Sequence, residues 1–276
     1  MSYFYICIKK YRMKKTILTL SLIIFFTSCS TVPITGRKRV NFVSDSQVLP
    51  MSFAQYKTFL GENPLSKDEE KSNEIKEVGE RISVAVTNFM RSNHMVSEAN
   101  SYEWEFNLIE DETMNAWCMP GGKVVFYTGI LPVAGNTDGI AAIMGHEVAH
   151  AFAKHGQERM SSNQIKEIGA VAVAVGASNE STEEQLMWNM AYGVGSQLGM
   201  LKFSRQHETE ADKLGMVFMI MAGYNPEEAV NVWRRMKAEG TTSTPEFLST
   251  HPSNDTRIKE LQAFIPEAKR LAEKYK

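Results

Sequence analysis

The sequence predicts a mainly helical α+β domain with a small β-sheet beside a buried central helix. Three observations carry this. Apolar residues recur in steps of three and four at Ile75, Val78, Ile82, Val86 and Phe89, the period of a helix with one buried face. Trp104, Phe106 and Leu108 alternate with Glu103, Glu105 and Asn107, the period of a half-buried strand. After Pro132 the chain turns helical. With 276 residues, 43% hydrophobic and 22% charged, it can build a real core, and disorder and collagen-like repeats are out. A formal net charge of −2 gives no reason to expect a nucleic-acid partner.

Residues 1–28 hold Lys9, Lys10, Arg12, Lys14 and Lys15 and no acid. Thr16 to Thr27 then run 12 residues without a charge. As a helix this covers roughly 18 Å, short of the ~30 Å hydrocarbon core but suited to a signal peptide. Thr27 and Ser28 lead directly into Cys29, as in the bacterial lipobox, although Phe26 stands where Leu is usual. The expectation is a lipoprotein signal over 1–28, with Met13 an alternative start and Cys29 acylated as the new N-terminus. Ser30 after Cys29 resembles outer-membrane sorting, which places the domain in the periplasm of a bacterial cell envelope. Cys7 would leave with the signal, so Cys118 remains alone, with no disulfide and no Cys-based metal site. It reads as a small hydrophobe. Residues 29–62 read as a lipidated tether. Its basic run Arg37-Lys38-Arg39 is either solvated or laid against anionic headgroups. A single domain is expected over 63–276.

Within it, a helix is expected from Ser66 to Arg91 and a strand through Trp104–Leu108. Two more strands, Met114–Cys118 and Lys123–Thr128, flank the Pro120-Gly121-Gly122 turn. Asn136-Thr137-Asp138 offers N-cap oxygens to a helix over Ile140–Lys154. Ile168–Ala177 reads as a short apolar helix piece. Ser204–Met221 is another helix, stopped by Gly223. Asn225-Pro226-Glu227-Glu228 starts a helix that runs to Glu239 before Gly240. A last helix pair fills 253–276.

The chemistry lies in His146-Glu147-Val148-Ala149-His150. Residues i and i+4 share a helix face, so both imidazoles can reach one ion while Glu147 leans toward a metal-bound water. Ile143, Met144 and Val148 imply a buried helix, and buried histidines need partners. One zinc ion per chain is expected. His155, about 140° further round a continuous helix, should face elsewhere as a polar surface residue. A catalytic zinc takes a third protein ligand and leaves the fourth position to water. Glu208 and Asp212 share a face of the later helix. Glu208 is the best third ligand, Asp212 can accept the outer N–H of a ligand histidine, and Glu210 fits a solvated face.

H-E-x-x-H followed by Ser204-Arg205-Gln206-His207-Glu208-Thr209-Glu210-Ala211-Asp212 resembles the gluzincin metallopeptidases of the HtpX, BepA and LoiP kind. The CAAX prenyl proteases and mitochondrial Oma peptidases are relatives of that family. Asn115-Ala116-Trp117, Pro120-Gly121-Gly122, Ala222-Gly223-Tyr224-Asn225-Pro226 and Thr250-His251-Pro252-Ser253 with Arg257 match too, over roughly residues 66–262. The resemblance implies a zincin-like fold. It also implies a metalloendopeptidase that acts on misfolded or unassembled envelope proteins. In layout the chain is similar to the short lipoprotein peptidases of that group. Asn115, Ala116 and Trp117 resemble the strand that pairs with extended substrate in this family; an ordinary core strand reads as well. His251, taken alone, is a loop histidine capping the last helix. The resemblance brings it and Arg257 to the site, either as a plug in the open zinc position or as donors to the oxyanion. A zinc-containing assembly factor without proteolysis is the competing class, and Glu147 argues against it.

Overall fold

The structure is a computed structural model and describes residues 29–164, 204–239, 246–251 and 255–275. The apolar piece expected over Ile168–Ala177 lies outside the described residues, as do residues 1–28.

Residues 29–62, expected as a tether, carry secondary structure. Strands β1 (Cys29–Thr31) and β2 (Lys38–Val40) form an antiparallel hairpin. Helix α1 (Asp45–Glu62) follows, with Ser44 and Gln47 closing a capping box at its start. Pro50 inside this helix and the polar residues before it conceal it in the sequence. Arg37 and Arg39, expected either solvated or against anionic headgroups, are tied to the body of the protein. Arg37 pairs with Glu158 at 2.8 Å and Glu210 at 2.7 Å, and the buried Arg39 donates to the carbonyl of Ala153.

Helix α2 (Glu69–Ser92) begins where Asp68 accepts the Lys71 N–H, and its expected face Ile75, Val78, Ile82, Val86 and Phe89 is fully buried. A short α3 (Val96–Ser101) leads to a three-stranded sheet of β3 (Glu105–Ile109), β4 (Ala116–Met119) and β5 (Lys123–Tyr127). The order is β3-β5-β4, with β3 parallel and β4 antiparallel to β5, so β4 is an edge. The central strand is buried on both faces. Val124 and Phe126 enter the main core, whereas Val125 meets Tyr56 of α1. The same alternation sends Ala116 and Cys118 toward the main core and Trp117 and Met119 toward α1.

After α4 (Leu131–Ala134) comes the central helix α5 (Thr137–Phe152), capped by Asn136, whose side chain accepts the Gly139 N–H at 2.8 Å. Helices α6 (Arg205–Met221), α7 (Glu227–Glu239), α8 (Glu246–Thr250) and α9 (Asp255–Tyr275) complete the layer. The expected last pair is one helix of 21 residues that runs through Pro266. Among the described residues no helix is long and apolar enough to cross a membrane.

Candidate metal centre

Helices α5 and α6 touch through two glycines. A Cβ on Gly145 would stand 2.7 Å from the carbonyl oxygen of Gly215, and one on Gly215 would stand 2.7 Å from Gly145 backbone. Each glycine borders a site residue, since His146 follows Gly145 and Asp212 lies one turn before Gly215. This approach brings three donors together, and His251, just after α8, completes a group of four. His146 Nε2 is 3.1 Å from His150 Nε2 and 3.2 Å from His251 Nδ1. Glu208 Oε1 is 3.0 Å from His251 Nδ1 and 3.4 Å from His150 Nε2, and Oε2 is 3.5 Å from His146 Nε2. All four residues are buried, and their donor atoms lie within 4.8 Å of one another. Four donors held about 2.0–2.1 Å from a tetrahedral ion would stand about 3.3–3.4 Å apart. The residues present therefore fit a metal ion.

Supporting contacts fix the donors. Asp212 Oδ1 lies 3.0 Å from His146 Nδ1 and accepts its N–H, which leaves the Nε2 lone pair for the cluster. Arg257 donates to both oxygens of Asp212, at 2.5 and 2.8 Å, and its Nη1 is 2.8 Å from Glu208 Oε2. Its guanidinium lies 3.5 Å over the ring of Trp233. Burial opposes charge on His146, but Asp212 and Glu208 outweigh it and, without a metal, hold its pKa up at about 9, so an ion binding at Nε2 displaces a proton. Burial instead pushes His150 well below the usual histidine range. Glu208 is held well below the carboxylate range because His251 and His146 outweigh its burial.

Glu147 sits beside the cluster, 3.7 Å from His251 Nε2. Its Oε1 is buried and has no hydrogen-bond partner among the described residues. Burial raises its carboxyl above the ordinary glutamate range. That is the state expected of a base waiting for a proton source. The His251 ring stacks on Phe247 at 4.6 Å, and the Phe247 N–H donates to the Met114 carbonyl just before β4. Asn115 accepts the Ala116 N–H through its side chain, and Trp117 donates to Tyr127 on the α1 side.

Two expectations fail. His155 is fully buried, with Nδ1 2.9 Å from His150 Nδ1. The reason is that α5 ends at Phe152 and Lys154 takes a φ of 56°, so the rotation of a continuous helix does not apply. Glu210 is buried as well, and accepts from Arg37, Thr35 and His155. Arg37 and Thr35 come from the hairpin that periodicity could not place, and His155 from the turn after α5.

The model of peptidase family M48 matches residues 69–265 of the chain. The chain belongs to that family. It is 32% identical over 249 residues to the mitochondrial metalloendopeptidase OMA1 of Schizosaccharomyces pombe, covering 88% of this chain and 68% of that protein. It is 35% identical over 182 residues to OMA1 of Saccharomyces cerevisiae, covering 62% of this chain and 50% of that one. It is 26% identical over 245 residues to the β-barrel assembly-enhancing protease of Escherichia coli, covering 85% of this chain and 47% of that one. As an M48 member the chain is a metalloendopeptidase with a zincin-like domain.

Proposed function

We propose that the chain is a zinc-dependent endopeptidase, lipid-anchored at Cys29, that hydrolyses unfolded or misassembled proteins of the bacterial cell envelope. The observation that carries the catalytic part is the four-donor cluster with the unpartnered Glu147 oxygen beside it. The name of the bacterial relative and the basic, apolar head ending at Cys29 support the envelope part.

His146, His150 and Glu208 would hold the zinc. When bound, zinc supplies Lewis acidity and lowers the pKa of a water toward about 7. Glu147, its carboxyl already raised by burial, would accept a proton from the attacking water and pass it to the leaving amine. Asp212 fixes the His146 tautomer, and Arg257 holds Asp212 and Glu208 in place. Edge strand β4, with Asn115, Ala116 and Trp117, is the place for an extended substrate to pair through its main chain, a mode that reads little sequence. His251 acts as a plug. Its Nδ1 stands at the fourth donor position, on a segment hydrogen-bonded to Met114 at the head of that strand. The resting enzyme is then latent.

One observation favours a second reading. A site closed by four protein donors is the pattern of structural zinc, which suits an assembly factor without proteolysis. A casein-degradation assay separates the two. Glu147→Gln should keep fold and zinc but lose hydrolysis that the parent shows once His251 is displaced. Hydrolysis retained in Glu147→Gln would falsify the mechanism.

A further inference from the structure

The two histidine donors of α5 are supported differently. His146 hands its outer N–H directly to a carboxylate, that of Asp212. His150 Nδ1 faces a second histidine instead, His155 Nδ1 at 2.9 Å, and His155 Nε2 lies 2.9 Å from Glu210 Oε2. We propose that His155 is a positioning residue for His150, relaying a Glu210 carboxylate that the β1–β2 hairpin holds in place. The proposal rests on the reading that the cluster binds zinc.

Hydrogen-bond polarity gives the relay its direction. A carboxylate only accepts, so His155 Nε2 carries the proton that points at Glu210. In a neutral ring, Nδ1 is then the acceptor, and it receives the N–H of His150 Nδ1. His150 Nε2 is left with a lone pair aimed at the cluster. Outer contacts of this kind set both the orientation and the basicity of a ligand imidazole. The left-handed backbone at Lys154, φ 56°, turns His155 back under His150. The His207 ring stacks on His155 at 4.3 Å and 19°, which fixes its plane. Glu210 accepts from Arg37 Nε at 2.7 Å and from the Thr35 hydroxyl, both in the hairpin between β1 and β2. Arg37 also donates to both oxygens of Glu158, whose Oε2 is 3.3 Å from His207 Nε2. The segment directly after Cys29 is thereby part of the support of a metal donor.

The test measures zinc affinity of the full chain by chelator competition, with the visible spectrum of the cobalt-substituted protein as a second readout. Thermal unfolding of the metal-free form controls for fold. His155→Phe keeps the shape but offers no acceptor. It should weaken zinc binding by about 10–100-fold and shift the cobalt spectrum. His155→Asn places an oxygen near the lost Nδ1 and should recover most of the affinity. Folded His155→Phe with parental affinity and spectrum would overturn the proposal, as would His155→Asn no better than His155→Phe. If His155→Phe does not fold, Glu210→Met decides, because it removes the relayed carboxylate; parental affinity there overturns the relay. A parent chain that binds no zinc would sink the zinc reading itself, and the relay with it.

Discussion

His251 Nδ1 lies 3.0 Å from Glu208 Oε1 across 43 residues of sequence, so the segment around α8 closes directly onto α6. Three of the four donors come from α5 and α6, which pack as one unit through Gly145 and Gly215. His251 comes from the short α8 segment, attached to the strand region through the Phe247–Met114 hydrogen bond. The donor on the shorter, separate segment is the one suited to leave.

His251→Ala should therefore retain zinc on three donors and raise casein hydrolysis several-fold, with self-cleavage as a secondary sign. Peptidase rate and zinc content are measured on the same preparation. A fall in kcat of about 10²–10³ with zinc unchanged would instead make His251 an oxyanion donor.

Substitution of a donor and of a residue that supports one should have different effects. Glu208→Ala should lose most of the metal. Asp212→Ala should weaken zinc by about 10–100-fold, because His146 keeps its place but loses its outer partner. Atomic emission on dialysed protein reads both. Full zinc in Glu208→Ala at low free metal would mean that another residue is the third ligand.

Much of this site is legible in the sequence, and the boundary of what can be read there has a physical cause. His146, Glu147, His150, Glu208 and Asp212 lie on two helices, where i and i+4 spacing dictates which side chains share a face. The α2 face and the strands that make up the sheet follow from equally local periods. The misses all involve breaks in periodicity. Lys154 turns left-handed, so the helical rotation used for His155 is void. Two partners of Glu210, Arg37 and Thr35, lie 173 and 175 residues away, in a hairpin whose Ser, Thr, Pro and Gly content reads as a linker. Pro50 and Pro266 sit inside helices that local rules would stop.

The hairpin contact should give the protein an acid-sensitive step. Burial alone would raise the carboxyl of Glu158, but His207 and Arg37 outweigh it and hold its pKa down to about 2, from an ordinary 4.5. A carboxyl depressed in the fold stabilises it when ionised. That contribution, at most about 3 kcal/mol, is complete above the ordinary value and drains away as pH falls through about 2. Urea unfolding at a series of pH values should show parent stability falling across this window. Glu158→Gln should be less stable above it and flatter within it. Equal pH slopes in the two proteins would remove Glu158 from the account.

The glycine contact yields the last prediction. Gly215→Ala places a methyl 2.7 Å from the backbone of Gly145 and His146, and backbone cannot rotate away as a side-chain tip can. The helices must part. Overpacking of this kind costs about 1–3 kcal/mol. The loss should be accompanied by weaker zinc binding, because α5 carries His146 and His150 while α6 carries Glu208. Gly61 supplies the contrast. It lies in α1, and a Cβ there would meet nothing within 4 Å, so Gly61→Ala should stabilise by about 0.5–1 kcal/mol through helix propensity and leave zinc untouched. Urea denaturation and chelator competition on both variants give the comparison. If Gly215→Ala lost stability but kept parental zinc affinity, helix separation would not set the donor spacing. The cluster would then owe its geometry to the Asp212, Arg257 and Glu208 contacts, which run along α6 and to α9.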